Sequence, residues 1–146
     1  MSELPNFPMN KEDIEQWIPH RDPFVLIDCV DKVVPGESIV AGITLTGKES
    51  VFEGHFPENP VYPGVLMVEG MAQAGAVLGS MSVNDKKGCL LTGVEQARFK
   101  KAVVPPCVVK YEVNLVKNRR GFMWFEGEVK VDDDVVATVN YSARMV

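Results

Sequence analysis

The spacing of apolar and polar residues divides the chain into a short helix, two strands, one long apolar helix and four further strands. Asn10 can cap a helix through Lys11-Glu12-Asp13-Ile14-Glu15-Gln16-Trp17, which Pro19 stops. Phe24 to Val34 is β-branched and apolar and runs into the turn pair Pro35-Gly36. Ser38 to Thr46 alternates with Ile39, Ala41, Ile43 and Leu45 on one face, and the polar turn Gly47 to Ser50 follows. A segment with prolines at 57, 60 and 63 is held extended, and residues 64–82 then read as a helix apolar on every side. Strands follow at about 88–97, 107–117, 121–131 and 135–145, with hairpin turns at Asn118 to Gly121 and Asp132 to Asp134.

A helix without a polar face has to be covered on most sides. Five or six antiparallel strands achieve this only by curling around it, so the pattern predicts an α+β fold with a curled sheet wrapped around one long central helix. One chain's sheet leaves a flank of that helix open, which points to a second copy. Length alone would let the helix cross a bilayer. Glu69 and Gln73 in its middle, glycines at 64, 70, 75 and 79, and the lack of a companion span make it a buried helix instead. With no repeat or interior linker, residues 1–146 read as a single domain.

Composition adds a charge asymmetry. The chain has 15 basic and 20 acidic residues, a formal charge of −5, which argues against a non-specific nucleic-acid binder. Residues 98–120 nevertheless carry seven Lys or Arg against the single acid Glu112, a local charge of +6 that suits an anionic partner. Three cysteines (Cys29, Cys89, Cys107) at unrelated spacings give neither a disulfide framework nor a metal motif. Two histidines are too few for a zinc cluster, and the segment from Met1 to Pro5 has no leader character. The expectation is a cytoplasmic protein without a metal or organic cofactor.

Three features carry candidate chemistry. Glu69 sits in the apolar helix with no Lys or Arg within ten positions, an isolation that favours a protonated acid. Gln73, one turn on, can hydrogen-bond it. His55 lies in the proline-stiffened loop, where an imidazole can accept and return a proton. Pro63 suits a first helical turn and leaves the amides of Gly64, Val65 and Leu66 free to receive a carbonyl oxygen that gains negative charge. Each has a plainer reading, as a rim carboxylate, a turn histidine and a solvated helix end.

The run from Gly54 to Gln73 (GHFPENPVYPGVLMVEGMAQ) resembles the signature of the (3R)-hydroxyacyl-[acyl carrier protein] dehydratases of type II fatty acid synthesis. Ile18-Pro19-His20-Arg21-Asp22-Pro23-Phe24 and Ala97-Arg98-Phe99-Lys100-Lys101-Ala102-Val103-Val104-Pro105 agree with the same family in the same order. The resemblance implies the hotdog fold, and the loss of water from a (3R)-3-hydroxyacyl thioester to give the trans-2-enoyl thioester. It implies His55 and Glu69 as the catalytic pair, and Gly64, Val65 and Gln73 at the substrate. It also implies no cofactor and a homodimer in which the histidine and the acid of one site come from different subunits; a trimer of dimers stays open. An acidic acyl carrier protein then becomes the anionic partner, with Lys100, Lys101, Arg119 and Arg120 as its docking patch.

The chain departs from the family in places. Val104-Pro105-Pro106-Cys107 replaces the usual V-x-P-G-D, Cys89-Leu90-Leu91-Thr92 lacks an aromatic near the substrate tunnel, and Gly70 stands where alanine is common. Acyl-length preference and a specialised lipid or polyketide-like pathway therefore stay open. Glu69, where the dehydratase-isomerases carry aspartate, speaks against double-bond migration. A hotdog thioesterase is the remaining enzymatic alternative, and the presence of both His55 and Glu69 speaks against a non-catalytic acyl-binding subunit.

Overall fold

The computed structural model describes residues 4–85 and 88–146; Met1, Ser2 and Glu3, part of the segment read for a leader, lie outside the described residues. The elements in chain order are α1 (Lys11–Glu15), β1 (Cys29–Val34), β2 (Ser38–Leu45), a 3-10 turn at Ser50–Glu53, α2 (Gly64–Val83), β3 (Cys89–Phe99), β4 (Cys107–Arg119), β5 (Phe122–Val131) and β6 (Asp134–Met145). The six strands form one antiparallel sheet in the order β1-β2-β4-β5-β6-β3, and α2 touches every strand. This is the hotdog arrangement, with the core between helix and sheet.

Local chemistry explains most boundaries. The Asn10 side chain accepts from the Asp13 amide at 2.9 Å while the Asp13 carboxylate accepts from the Asn10 amide at 3.1 Å, a capping box that starts α1. The β4–β5 and β5–β6 turns use Arg120-Gly121 and Asp132-Asp133, all four with positive φ, the conformation that matches the twist of paired strands. The first strand begins at Cys29, five residues later than its composition predicts, because residues before it bond elsewhere. Phe24 and Leu26 give their backbone groups to the side chain of Gln73 on α2.

The glycines of α2 have a packing function that composition did not reveal. A Cβ on Gly70 would lie 2.7 Å from Cζ and the hydroxyl of Tyr111, and one on Gly75 would lie 2.5 Å from the Tyr141 hydroxyl. The missing side chains let the helix sit directly on the large aromatic residues of the sheet. From Gly70 to Met81 the helix is buried except for half-buried Ala72. Val65 is 74% exposed, and Val68, Glu69 and Ala72 are half-buried. These positions follow the i, i+3, i+4, i+7 spacing of one helix face. At the sheet edge beside them, β3 exposes Leu90, Leu91, Val94 and Phe99.

Candidate active site

His55 is held by the turn that precedes it. Buried Phe52 anchors the 3-10 turn. The His55 amide donates to the Val51 carbonyl at 3.1 Å, and the Val61 amide donates back to the His55 carbonyl at 3.0 Å. The ring is fixed by a third contact, Nδ1 to the Val61 carbonyl oxygen at 2.7 Å. A carbonyl can only accept, so Nδ1 carries the hydrogen and Nε2 of the neutral ring holds the lone pair. The next residue ties the end of the loop down, with the Tyr62 amide donating to the Val103 carbonyl at 2.8 Å.

At the start of α2 the Leu66 and Met67 amides donate to the Pro63 carbonyl at 3.1 and 3.3 Å. The Leu66 amide, expected to be free, is therefore used by a tightened first turn. The amides of Gly64 and Val65 have no acceptor among the described residues. They border a cavity of about 460 Å³ whose lining includes Val61, Phe99, Lys100 and Lys101. The Phe99 ring lies so close that a Cβ on Gly64 would come within 2.8 Å of it, so glycine is needed here for the approach.

Glu69 opens into a second cavity of about 240 Å³ between α2 and β3, lined also by His20, Phe24, Ala76, Cys89 and Leu91. The expected hydrogen bond from Gln73 forms, and His20 is a neighbour of this carboxyl that the sequence did not indicate. Gln73 Nε2 donates to Glu69 Oε2 at 3.0 Å, and His20 Nε2 lies 3.7 Å from the same oxygen, with the two side chains 21% and 26% exposed. Gln73 itself is fully buried. Its carboxamide also donates to the Phe24 carbonyl at 2.8 Å and accepts from the Leu26 amide at 2.8 Å. Gln73 thus stands behind the carboxyl with its carboxamide hydrogen-bonded inside the chain. On the other wall, burial first and the charge of Glu69 second push the Cys89 thiol up to about 11.

The structure joins Glu69 with Gln73 and sets Gly64, Val65, Lys100 and Lys101 around one cavity; His55 is not among its lining residues but bonds Val61, which is. His55 and Glu69 share neither a described cavity nor a described contact within one chain. The basic block does not form one patch in a chain either. The Lys100 amide bonds Val136 at one end of β6, whereas Arg119 pairs with Phe122, which pairs with Arg144 at the other. Eight residues of extended strand separate these points, about 26 Å at 3.3 Å per residue. Lys101 is further engaged by Asp134 at 3.3 Å. His20 is the residue that sequence reasoning quoted without giving it a role. Its place beside Glu69 depends on contacts across 47 and 49 positions, through the bonds of Gln73 to Leu26 and Phe24.

Comparison with known proteins places the chain in a family and a fold. The FabA-like domain family matches residues 18–140. The chain is 41% identical over 140 residues to the 3-hydroxyacyl-[acyl-carrier-protein] dehydratase FabZ of Teredinibacter turnerae, covering 92% of this chain and 96% of that protein. It is 44% identical over 131 residues to the protein of the same name from Coxiella burnetii, covering 87% and 92%. Among solved structures, the dehydratase heterocomplex ApeI:P from Xenorhabdus doucetiae superposes with a TM-score of 0.79 at 22% identity, covering 97% of this chain and 93% of that one. A hypothetical thioesterase with coenzyme A from Streptococcus pneumoniae superposes with a TM-score of 0.63 at 9% identity, over 80% of this chain and 84% of that one. Those two likenesses establish the fold. The sequence matches go further: the chain belongs to the FabA-like family, among the 3-hydroxyacyl-[acyl-carrier-protein] dehydratases.

Proposed function

We propose that His55 and Glu69 carry the two proton transfers by which this chain dehydrates 3-hydroxyacyl-[acyl carrier protein] thioesters in fatty acid biosynthesis. A hydrogen alpha to a thioester is weakly acidic, so its removal needs a base and a polarised carbonyl together. The fixed contact of His55 Nδ1 with Val61, which leaves Nε2 as the accepting atom, is the observation that carries the reading. The unpaired amides of Gly64 and Val65 supply donors for the thioester oxygen as negative charge grows on it. Glu69 gives its proton to the departing hydroxyl, water leaves, and the trans-2-enoyl thioester remains. His55 is then protonated and Glu69 ionised, and exchange with solvent resets the pair. The electron pair of the alpha C–H bond becomes the new C=C bond as the C–O pair departs with the hydroxyl oxygen, so no external oxidant or reductant is needed and the reading invokes no metal or organic cofactor.

The working unit in this reading is a homodimer of single-domain chains. Its support is the partly exposed helix face at Val65, Val68 and Ala72, the apolar edge at β3, and the lack of a cavity shared by His55 and Glu69 among the described residues. A second copy packed there closes the Glu69 cavity with its own His55 loop. A mass measurement distinguishes the dimer from a trimer of dimers. Lys100 and Lys101, beside the cavity at the helix start, are the docking contacts for the acidic carrier protein, and Arg119 and Arg120 form a separate contact at the far end of the sheet. Three cysteines without a disulfide suit a reduced cytoplasm.

The test is reversible hydration of an enoyl thioester by the wild type, His55→Ala and Glu69→Gln. The enoyl absorbance should change with the wild type alone while the thioester stays intact. Full activity in either variant overturns the assignment of that residue, and release of free thiol makes the protein a thioesterase.

A further inference from the structure

We propose that His20 is a second positioning residue for the Glu69 carboxyl, acting with Gln73 on Oε2 so that Oε1 carries the proton given to the leaving hydroxyl. The inference rests on the assignment of Glu69 as the acid. Oε2 accepts from Gln73 Nε2 at 3.0 Å and lies 3.7 Å from His20 Nε2, while Oε1 has no hydrogen-bond partner among the described residues. In a carboxylic acid the oxygen that accepts from donors is the carbonyl one, and the proton sits on the other. The Gln73 donor on Oε2 therefore selects Oε1 as the acidic position, and His20 Nε2 faces the same Oε2 from 3.7 Å.

The tautomer of His20 follows from its other nitrogen. Nδ1 is buried with no partner of either kind. A buried N–H without an acceptor is rarer and costlier than a lone pair without a donor. The hydrogen of the neutral ring therefore belongs on Nε2, facing Glu69. The segment that carries His20 is also held: Arg21 Nη1 donates to the carbonyls of Ile18 and His20 at 2.9 and 2.6 Å, and Gln73 clamps Phe24 and Leu26.

At 3.7 Å the His20 contact is longer than a hydrogen bond, as contacts in ligand-free sites commonly are before substrate closes them. Its effect lies in the reaction. As Glu69 gives up its proton, negative charge develops on the carboxyl, and donors already aimed at Oε2 stabilise that charge more than they stabilise the neutral acid. Within one chain the other titratable group facing this carboxyl is Cys89 of β3, whose thiol, at about 11, stays protonated in the assay range; in the dimer proposed above, His55 of the second copy faces it too and is present in every variant compared. The remaining lining (Phe24, Ala72, Ala76, Leu90, Leu91 and Ala143) is uncharged.

The experiment compares full-length wild type, His20→Ala, His20→Gln and Glu69→Gln by kcat, KM, pH–rate profile and melting temperature. His20→Ala should lower kcat about 10- to 100-fold, the worth of one hydrogen bond to a charged group. KM should stay within about twofold and the fold should remain intact. The limb on which activity falls with rising pH should move to higher pH, because loss of a donor to the carboxylate makes Glu69 keep its proton longer. His20→Gln, which presents an N–H at a similar reach, should recover most of the rate. An unmoved profile, a change confined to KM, or a Gln variant no better than Ala overturns the role of His20. If Glu69→Gln stays active, the acid assignment itself fails; if it is inactive while His20→Ala behaves as wild type, the role of His20 alone fails.

Discussion

Gln73 Nε2 donates to Glu69 Oε2 at 3.0 Å, and the same carboxamide holds the backbone of Phe24 and Leu26 at 2.8 Å. One fully buried side chain thus orients the acid and fastens the N-terminal segment to the central helix. Gln73→Leu preserves size but leaves two backbone groups unpaired, at a cost of about 2–4 kcal/mol. Urea denaturation should show a lower midpoint with an unchanged slope, and an unchanged midpoint would contradict the clamp.

The contact of His55 Nδ1 with Val61 predicts a separation of folding from catalysis. Asn places an amide N–H near the position of Nδ1 and has no basic nitrogen. His55→Asn should melt close to the wild type while its kcat falls by about 10²- to 10⁴-fold, the usual contribution of a general base. A variant that keeps wild-type turnover would exclude His55 as the base.

A site built between two copies can be tested by mixing inactive chains. Neither His55→Ala nor Glu69→Gln has a complete site as a homodimer. After subunit exchange half of the dimers are mixed, each with one complete site of two, so roughly a quarter of wild-type activity should return. A site within one chain restores nothing on mixing.

Gly70 and Tyr111 form a coupled pair. A Cβ on Gly70 meets the Tyr111 ring and hydroxyl at 2.7 Å, so Gly70→Ala should cost about 1–3 kcal/mol by overpacking. The Tyr111 hydroxyl is buried without a hydrogen-bond partner, so Tyr111→Phe should be neutral or stabilising. The double variant should be more stable than the sum of the single effects predicts, and strict additivity would show that the clash relaxes by another route.

Reversal of Lys100 and Lys101 to glutamate should raise KM for a carrier-protein substrate and leave a small thioester unaffected. Reversal of Arg119 and Arg120, about 26 Å away along β6, should act independently. The rate with carrier protein should also lose part of its salt dependence in the Lys100/Lys101 variant. Equal effects on both substrates would place the lysines in the chemistry rather than in docking.

The sequence by itself determined the elements and their arrangement, because these depend on short-range pattern. A twenty-residue helix with no polar face has to be wrapped, and the strands, hairpin turns and capping box follow from neighbouring residues. It likewise marked His55, Gly64 and Glu69, which lie within fifteen positions along one motif. Tertiary structure decided what surrounds them. It placed His20 beside Glu69 in addition to the expected Gln73, and took the Leu66 amide into the first turn. It made the helix glycines seats for Tyr111 and Tyr141, and moved the two halves of the basic block to opposite ends of a strand. The physical reason is the same in each case: a helix residue's partners come from strands and loops tens of positions away. Which atoms meet there depends on strand register and on the depth to which the helix settles, and neither is written in the local pattern.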